Sequence, residues 1–222
     1  MKFLFYRPIN IVGKDDQICF WSDTHFGHRC EHWERPLWKA RGFSSIEEHD
    51  EQLVKRWNEV ATPNTIFFHL GDFIFGKDSI ERFRNILRRV NFKELYSMPG
   101  NHCSGWKQVF EDQKHNVWDM QENKRVIFLP NYIEAVVNGQ AIVASHYPIL
   151  SFNGQASRGK TICIYGHVHG NLIKNEIGKL YAKARTLEVS IENCPSPITF
   201  GEIRKLFSEK EPITFDHHIC ND

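Results

Sequence analysis

Five short clusters place oxygen and imidazole groups directly after apolar runs: Asp23-Thr24-His25, Gly71-Asp72, Gly100-Asn101-His102, Ser145-His146 and Gly166-His167-Val168-His169. Together they supply two carboxylates, one amide oxygen and five imidazoles, with no thiolate. A mixed nitrogen and oxygen set of this kind suits manganese, iron, cobalt, nickel or zinc in a reactive centre rather than a structural zinc. Asp-x-His or Gly-Asp alone recurs by chance, and a lone histidine is more often a satisfied core or surface group. Gly-His-x-His is more specific. The glycines are expected to turn the chain sharply at strand ends, so that the next side chain enters a shared cleft.

The elements that must position these groups read as alternating strands and helices. Gln17–Ser22, Thr65–Leu70 and Leu95–Met98 are short apolar runs, expected as buried strands. Between them, Ser44-Ser45-Ile46-Glu47-Glu48 carries a Ser-x-x-Glu capping signal for a helix running to about Val60. Asp78 or Ser79 opens a second helix with Ile80, Phe83, Ile86, Leu87 and Val90 as its stripe. The second half is strand-rich: Arg125–Leu129, a hairpin of Tyr132–Val137 and Gln140–Ser145 about Asn138-Gly139, then Thr161–Tyr165 and Thr186–Ile191. A last helix is expected from Thr199 to Leu206. This order predicts one α/β domain over residues 1–222: two packed β-sheets with helices outside. In such sheets, sites form where neighbouring strands end.

Composition narrows the function classes. The 222 residues are 41% hydrophobic and 25% charged, with a formal net charge of +1. That balance offers no basic excess for an obligate duplex-DNA binder or a membrane surface. No apolar stretch approaches the roughly 20 residues of a membrane span, and Met1–Pro8 lacks the marks of a signal peptide. The six cysteines include no Cys-x-x-Cys pair, and a core of this size needs no staples, so reduced thiols in a cytoplasmic protein are expected. ATP-driven chemistry is not expected, and no Gly-x-Ser-x-Gly elbow is present.

In this order the five clusters resemble the calcineurin-like metallophosphoesterase superfamily, whose pattern is Asp-x-His, Gly-Asp, Gly-Asn-His followed by an acid, His, and Gly-His-x-His. Arg56-Trp57-Asn58 and Ser145-His146-Tyr147-Pro148 look like a small bacterial and phage branch of it. The resemblance implies a four-layer sandwich of two sheets between helices, which agrees with the element order. It implies two divalent transition-metal ions, manganese first among them. Asp23, His25, Asp72 and His169 would hold one ion, and Asp72, Asn101, His146 and His167 the other, with Asp72 bridging. Two cations roughly 3.5–4 Å apart need such a shared carboxylate. The implied activity is phosphoester hydrolysis, phosphodiesterase or phosphatase, by a metal-bridging hydroxide. His102 is left to face the substrate and give a proton or hydrogen bond. Where the family usually has an acid after Asn-His, this chain has Cys103.

Further substrate contacts are expected from His28 and from the aromatic and arginine-rich segment Arg29–Phe43, with Trp33, Arg35, Trp38 and Arg41. Aromatic rings stack on bases and guanidinium groups pair with phosphate, so a small, nucleotide-like phosphoester is the expected partner. The bland reading is a surface loop packed by its own aromatics. Arg82, Arg84, Arg88 and Arg89 read as a solvated helix face, and His217-His218 as a tail. Two other classes compete: a nuclease on DNA or RNA, disfavoured by the neutral charge, and a non-catalytic metal-binding scaffold, which would be expected to have lost ligands.

Overall fold

In the computed structural model, residues 8–30, 36–76, 79–102, 117–120, 123–155 and 161–208 are described. Strand β2 (Ile18–Trp21) is buried on both faces, which is why it reads as an unbroken apolar run. It is preceded by β1 (Ile9–Ile11) and followed by α1 (Leu37–Ala40), α2 (Ile46–Val60), β3 (Ile66–His69), α3 (Ser79–Arg89) and β4 (Glu94–Ser97). Then come β5 (Val117–Asp119), β6 (Arg125–Phe128), β7 (Tyr132–Val137), β8 (Gln140–Ser145) and β9 (Ile162–Tyr165). The chain closes with α4 (Glu176–Lys183), β10 (Thr186–Glu188), β11 (Ile198–Thr199) and α5 (Phe200–Ser208).

The strands form two sheets, ordered β1-β7-β8-β9-β10 and β11-β2-β3-β4-β6-β5. β2, β3, β4 and β6 run parallel, as do β8, β9 and β10, so several strands of each sheet deliver their C-terminal ends together. Between the sheets, Ile18, Phe20, Phe68 and Leu70 meet Ile133, Ala135, Ile142, Ala144 and Ile164. On the other face of the larger sheet, Cys19, Trp21, Phe67, Leu95 and Val126 pack on Leu53 and Trp57 of α2 and Phe83, Ile86 and Leu87 of α3. Alternate residues of β2 therefore serve two cores. This is the expected sandwich.

Local signals explain the element ends. Ser45 caps α2 by accepting from the Glu48 N–H at 3.1 Å, and the Glu48 carboxylate reaches back to the Ser44 N–H at 2.7 Å. Thr199 and Glu202 repeat the same reciprocal pair at α5. Asn138 and Gly139 both have positive φ, 47° and 83°, making the two-residue hairpin turn between Val137 and Gln140. The last expected strand is corrected: it ends at Glu188 rather than Ile191. There the Glu188 carboxylate turns aside to accept from the Gly170 N–H at 2.7 Å and the Ser190 hydroxyl. Segment Arg29–Phe43 includes a short helix, α1, that the sequence reading did not anticipate, as it did not anticipate α4.

Among the described residues, Cys19, Cys30, Cys163 and Cys194 are free thiols, and no helix is long and apolar enough to cross a membrane. Trp33, Arg35, Cys103 and His217-His218 lie outside the described residues.

Candidate metal centre

Each motif loop leaves its strand and is then held by hydrogen bonds that prolong the sheets. Beyond β2 the Asp23 N–H donates to Gly71 O at 3.0 Å and the His25 N–H to Asp72 O at 2.9 Å. The Asp72 N–H reaches Pro99 O at 3.3 Å, and the Gly166 N–H reaches His146 O at 3.1 Å. The Ser22 N–H donates to Val189 O at 3.0 Å, so the two sheets meet at this end. Asp23, His25, Asp72, His167 and His169 all have positive φ, between 49° and 73°. Left-handed backbone in non-glycine residues costs energy and gathers at functional sites. Here it turns five motif side chains into one cleft.

The glycines allow close approach as well as turning. Gly100 has φ +74°, and a Cβ there would lie 2.2 Å from Asp72 Oδ1. A Cβ on Gly166 would lie 2.5 Å from Asp23 Oδ2 and 2.4 Å from Ser22 Oγ. Each glycine makes room for one carboxylate.

Both carboxylates are tied down by one oxygen and present the other. Asp23 Oδ2 accepts from Ser22 Oγ at 2.6 Å and from the His167 N–H at 2.9 Å. Asp23 Oδ1 is buried and has no hydrogen-bond partner. Asp72 Oδ1 accepts from the His102 N–H at 2.8 Å. Asp72 Oδ2 lies 3.7 Å from His25 Nε2 on one side and 3.6 Å from His146 Nε2 on the other. His25 Nε2 lies 4.0 Å from Asp23 Oδ1, and His169 Nε2 lies 3.7 Å from it. Both ring nitrogens of His25 are buried without a hydrogen-bond partner.

This donor set fits a divalent cation. Burial pushes the Asp23 carboxyl up to about 7, while it holds His25 well below, and His146 below, the ordinary imidazole value. His146 Nδ1 lies 2.8 Å from Leu70 O, an acceptor, so the ring proton belongs on Nδ1. Its bare Nε2 then faces Asn101 Oδ1 at 2.8 Å, with His167 Nδ1 2.9 Å from the same oxygen. His146 Nε2 and Asn101 Oδ1 are then two acceptors face to face, a pairing that a cation between them satisfies. Two groupings, Asp23-His25-His169 and Asp23-Asp72-His146, bring their ligand atoms within 4.8 Å of one another.

Around this centre lies a layer absent from the sequence reading. Arg41, expected as a substrate contact, is instead a buried anchor with its side chain only 4% exposed. It donates to Asp23 O at 2.7 Å, Thr24 O at 3.1 Å, Glu192 Oε1 at 2.9 Å and His49 Nε2 at 3.0 Å. Glu192 Oε1 lies 2.9 Å from His169 Nδ1. Burial works against ionisation of Glu192, but the His169 ring beside it and the Arg41 charge bring it down to about 2. His169 is raised despite burial, because of Glu192. Arginine gives no acceptor, so His49 carries its proton on Nδ1, 2.9 Å from Asp50 Oδ1. Asp50 also accepts from the Gly27 N–H at 3.0 Å.

His102 and Asn101 are exposed at the mouth, with the His102 ring centroid 5.4 Å from that of His25. His28 is brought to the same centre, 5.5 Å from His25, but is buried edge-on against Phe75 at 4.1 Å. Burial holds its imidazole down to about 4. Arg82 departs from the expected solvated face: it folds inward and donates to Phe75 O at 2.9 Å and Gly27 O at 3.4 Å. Of Arg56-Trp57-Asn58, Trp57 is core, and Asn58 bridges Arg89 O and the Asn91 N–H. The expectation against ATP-driven chemistry rests on there being no Gly-x-x-x-x-Gly-Lys phosphate loop, and this is corrected: Gly154–Thr161 carries that spelling. Residues 156–160 of it lie outside the described residues, and Thr161 is followed by strand β9 rather than by the helix whose N-terminus gives such a loop its function.

The chain is similar to known proteins in sequence and in fold. The chain is 29% identical over 195 residues to the uncharacterized protein MJ1445 of Methanocaldococcus jannaschii, covering 85% of this chain and 89% of that protein. Its fold is similar to that of AQ665, a protein of unknown function from Aquifex aeolicus, with a TM-score of 0.58 at 22% identity, covering 85% and 98% of the two chains. The calcineurin-like phosphoesterase family matches residues 17–222, every motif cluster included, and the chain belongs to that family.

Proposed function

We propose that this protein is a cytoplasmic phosphoesterase with two divalent metal ions, manganese first among them, acting on a small phosphoester. Asp23, His25, Asp72 and His169 hold one ion, and Asp72, Asn101, His146 and His167 the other. The observation that carries this reading is the position of Asp72 Oδ2, 3.7 Å from His25 Nε2 and 3.6 Å from His146 Nε2, between one imidazole of each set. When bound, the ions supply an activated water at neutral pH and positive charge for the phosphoryl oxygens.

The chain's own residues do the rest. Ser22 and the His167 N–H fix the Asp23 carboxylate, so that Oδ1 is presented to the cleft. Leu70 O holds the His146 tautomer. The His102 N–H is anchored on Asp72 Oδ1, which leaves the exposed His102 ring beside the centre to donate to the leaving oxygen. Free thiols at the four described cysteines suit a reducing compartment.

Metal analysis of the purified chain, combined with a panel of phosphomonoesters, phosphodiesters, oligonucleotides and plasmid, tests the reading. About two transition-metal ions per chain are expected, with small esters cut better than long duplexes. Comparable turnover of plasmid and a small diester at equal phosphate concentration would favour a nuclease.

A further inference from the structure

A cavity of about 530 Å³ adjoins the centre and shares the His169 ring with it. Leu37 and Ala40 of α1, Phe43, Ile191 and Pro195 form its apolar walls, and Arg56 of α2 enters from the side. The volume falls within the range of small-molecule sites, roughly 300–1,000 Å³. Arg41 and Glu192 also border it, but they are paired with each other. Arg56 is different. Its guanidinium carbon lies 5.6 Å from the Phe43 ring centroid, and one donor reaches Pro195 O at 3.2 Å. Its other donors meet no acceptor among the described residues. By contrast, a second cavity of about 390 Å³ between α2 and α3 has two of its arginines paired with carboxylates, Arg29 with Glu47 and Arg89 with Glu51.

A half-buried guanidinium at the edge of apolar walls suits a flat ring that carries acceptor atoms. The walls cover the ring faces, and the guanidinium meets the polar edge. We propose that this cavity holds the planar aromatic group, nucleobase or aryl, of the phosphoester whose phosphoryl group lies at Asp72. The inference rests on the phosphoesterase reading above. Arg56 is then a specificity-determining residue that touches the organic part of the substrate and none of the reacting atoms.

Calorimetric binding to the manganese-loaded full chain tests this with three probes: inorganic phosphate, phenyl phosphate and adenosine 5′-monophosphate. Stacking is worth about 1–3 kcal/mol per base, so at least one aromatic phosphate is expected to bind about tenfold or more tightly than phosphate. Arg56→Ala and Phe43→Leu should each remove most of that gain and leave phosphate binding unchanged, which also shows that the variants are folded. A larger Arg56→Ala loss for adenosine monophosphate than for phenyl phosphate identifies a nucleobase, and equal losses an aryl group. Equal affinity for all three probes overturns the cavity assignment and leaves the phosphoesterase reading intact. Failure of phosphate itself to bind the metal-loaded chain overturns both.

Discussion

Arg41 and Glu192 form an ion pair, 2.9 Å apart, that holds two edges of one centre. Arg41 grips the carbonyls of Asp23 and Thr24 at the end of β2, while Glu192 meets Nδ1 of His169. The pair locks a carboxylate turn and an imidazole that are nearly 150 residues apart in sequence. Carboxylates behind a ligating imidazole set its tautomer and basicity, and their loss commonly costs 10–100-fold in metal affinity. Glu192→Gln and Arg41→Lys are therefore expected to weaken metal binding by about that factor, measured by calorimetry. A lysine is a point charge and cannot span four acceptors. Native metal affinity in both variants would remove the positioning role.

Buried neutral histidines set the acid limit. Burial lowers His25, His49, His69 and His146. In each case the unfolded chain binds its proton at a higher pH than the folded chain does, so stability is lost as pH falls through about 6.5. Asp23, raised to about 7, has the opposite sign and offsets part of this. The lowered histidines, His28 among them, outnumber the raised groups, so a net loss of stability is expected between pH 6 and 5. Urea titrations of the metal-free chain across that interval measure it, and a flat profile would contradict the neutral assignments.

Asp23 and His169, both raised, set the pH dependence of metal binding together. The carboxyl and the imidazole must each lose a proton to become ligands. Metal affinity should therefore fall below pH 7, with net proton release at pH 6. Calorimetry in two buffers of different ionisation enthalpy reads that release, and its absence would show that Asp23 is already ionised.

Gly100→Ala tests the space around Asp72. A methyl group there meets Oδ1 at 2.2 Å on a backbone with φ +74°. The strain costs about 1–3 kcal/mol, and the displaced carboxylate should lower metal affinity by at least an order of magnitude. An alanine variant that binds metal normally would mean that Asp72 has freedom to move.

The five clusters were legible because each ligand follows a strand directly and the glycines beside them have local conformational reasons to be there. The α2 cap and the Asn138-Gly139 hairpin were legible for the same reason: their interactions span a few residues. Arg41 was not. An arginine in an aromatic loop looks like a substrate contact, and nothing local indicates that its partners are the carbonyls of Asp23 and Thr24 and the carboxylate of Glu192. Glu192 belongs to no motif. β1 and β5 have three residues each, too few to show a period. α4 did carry a usable signal, since Asn175 Oδ1 accepts from the Gly178 N–H at 2.8 Å as its cap.

His102 is expected to act where the leaving group needs a proton. Its ring is exposed beside His25 and takes no part in either ligand set. His102→Asn should keep both metals, lose about 10²–10⁴-fold on alkyl or ribose esters, and lose much less on nitrophenyl esters. Equal losses on both, with metal content unchanged, would reduce His102 to an electrostatic contact.

Turnover by Asp72→Ala tests the shared carboxylate most directly. It is measured with the best substrate of the panel at saturating manganese and compared with the unaltered chain. Abolished hydrolysis is expected, because Asp72 Oδ2 faces His25 and His146 together and its loss would take a ligand from both proposed ions. Near-normal turnover by that variant would contradict the two-metal assignment.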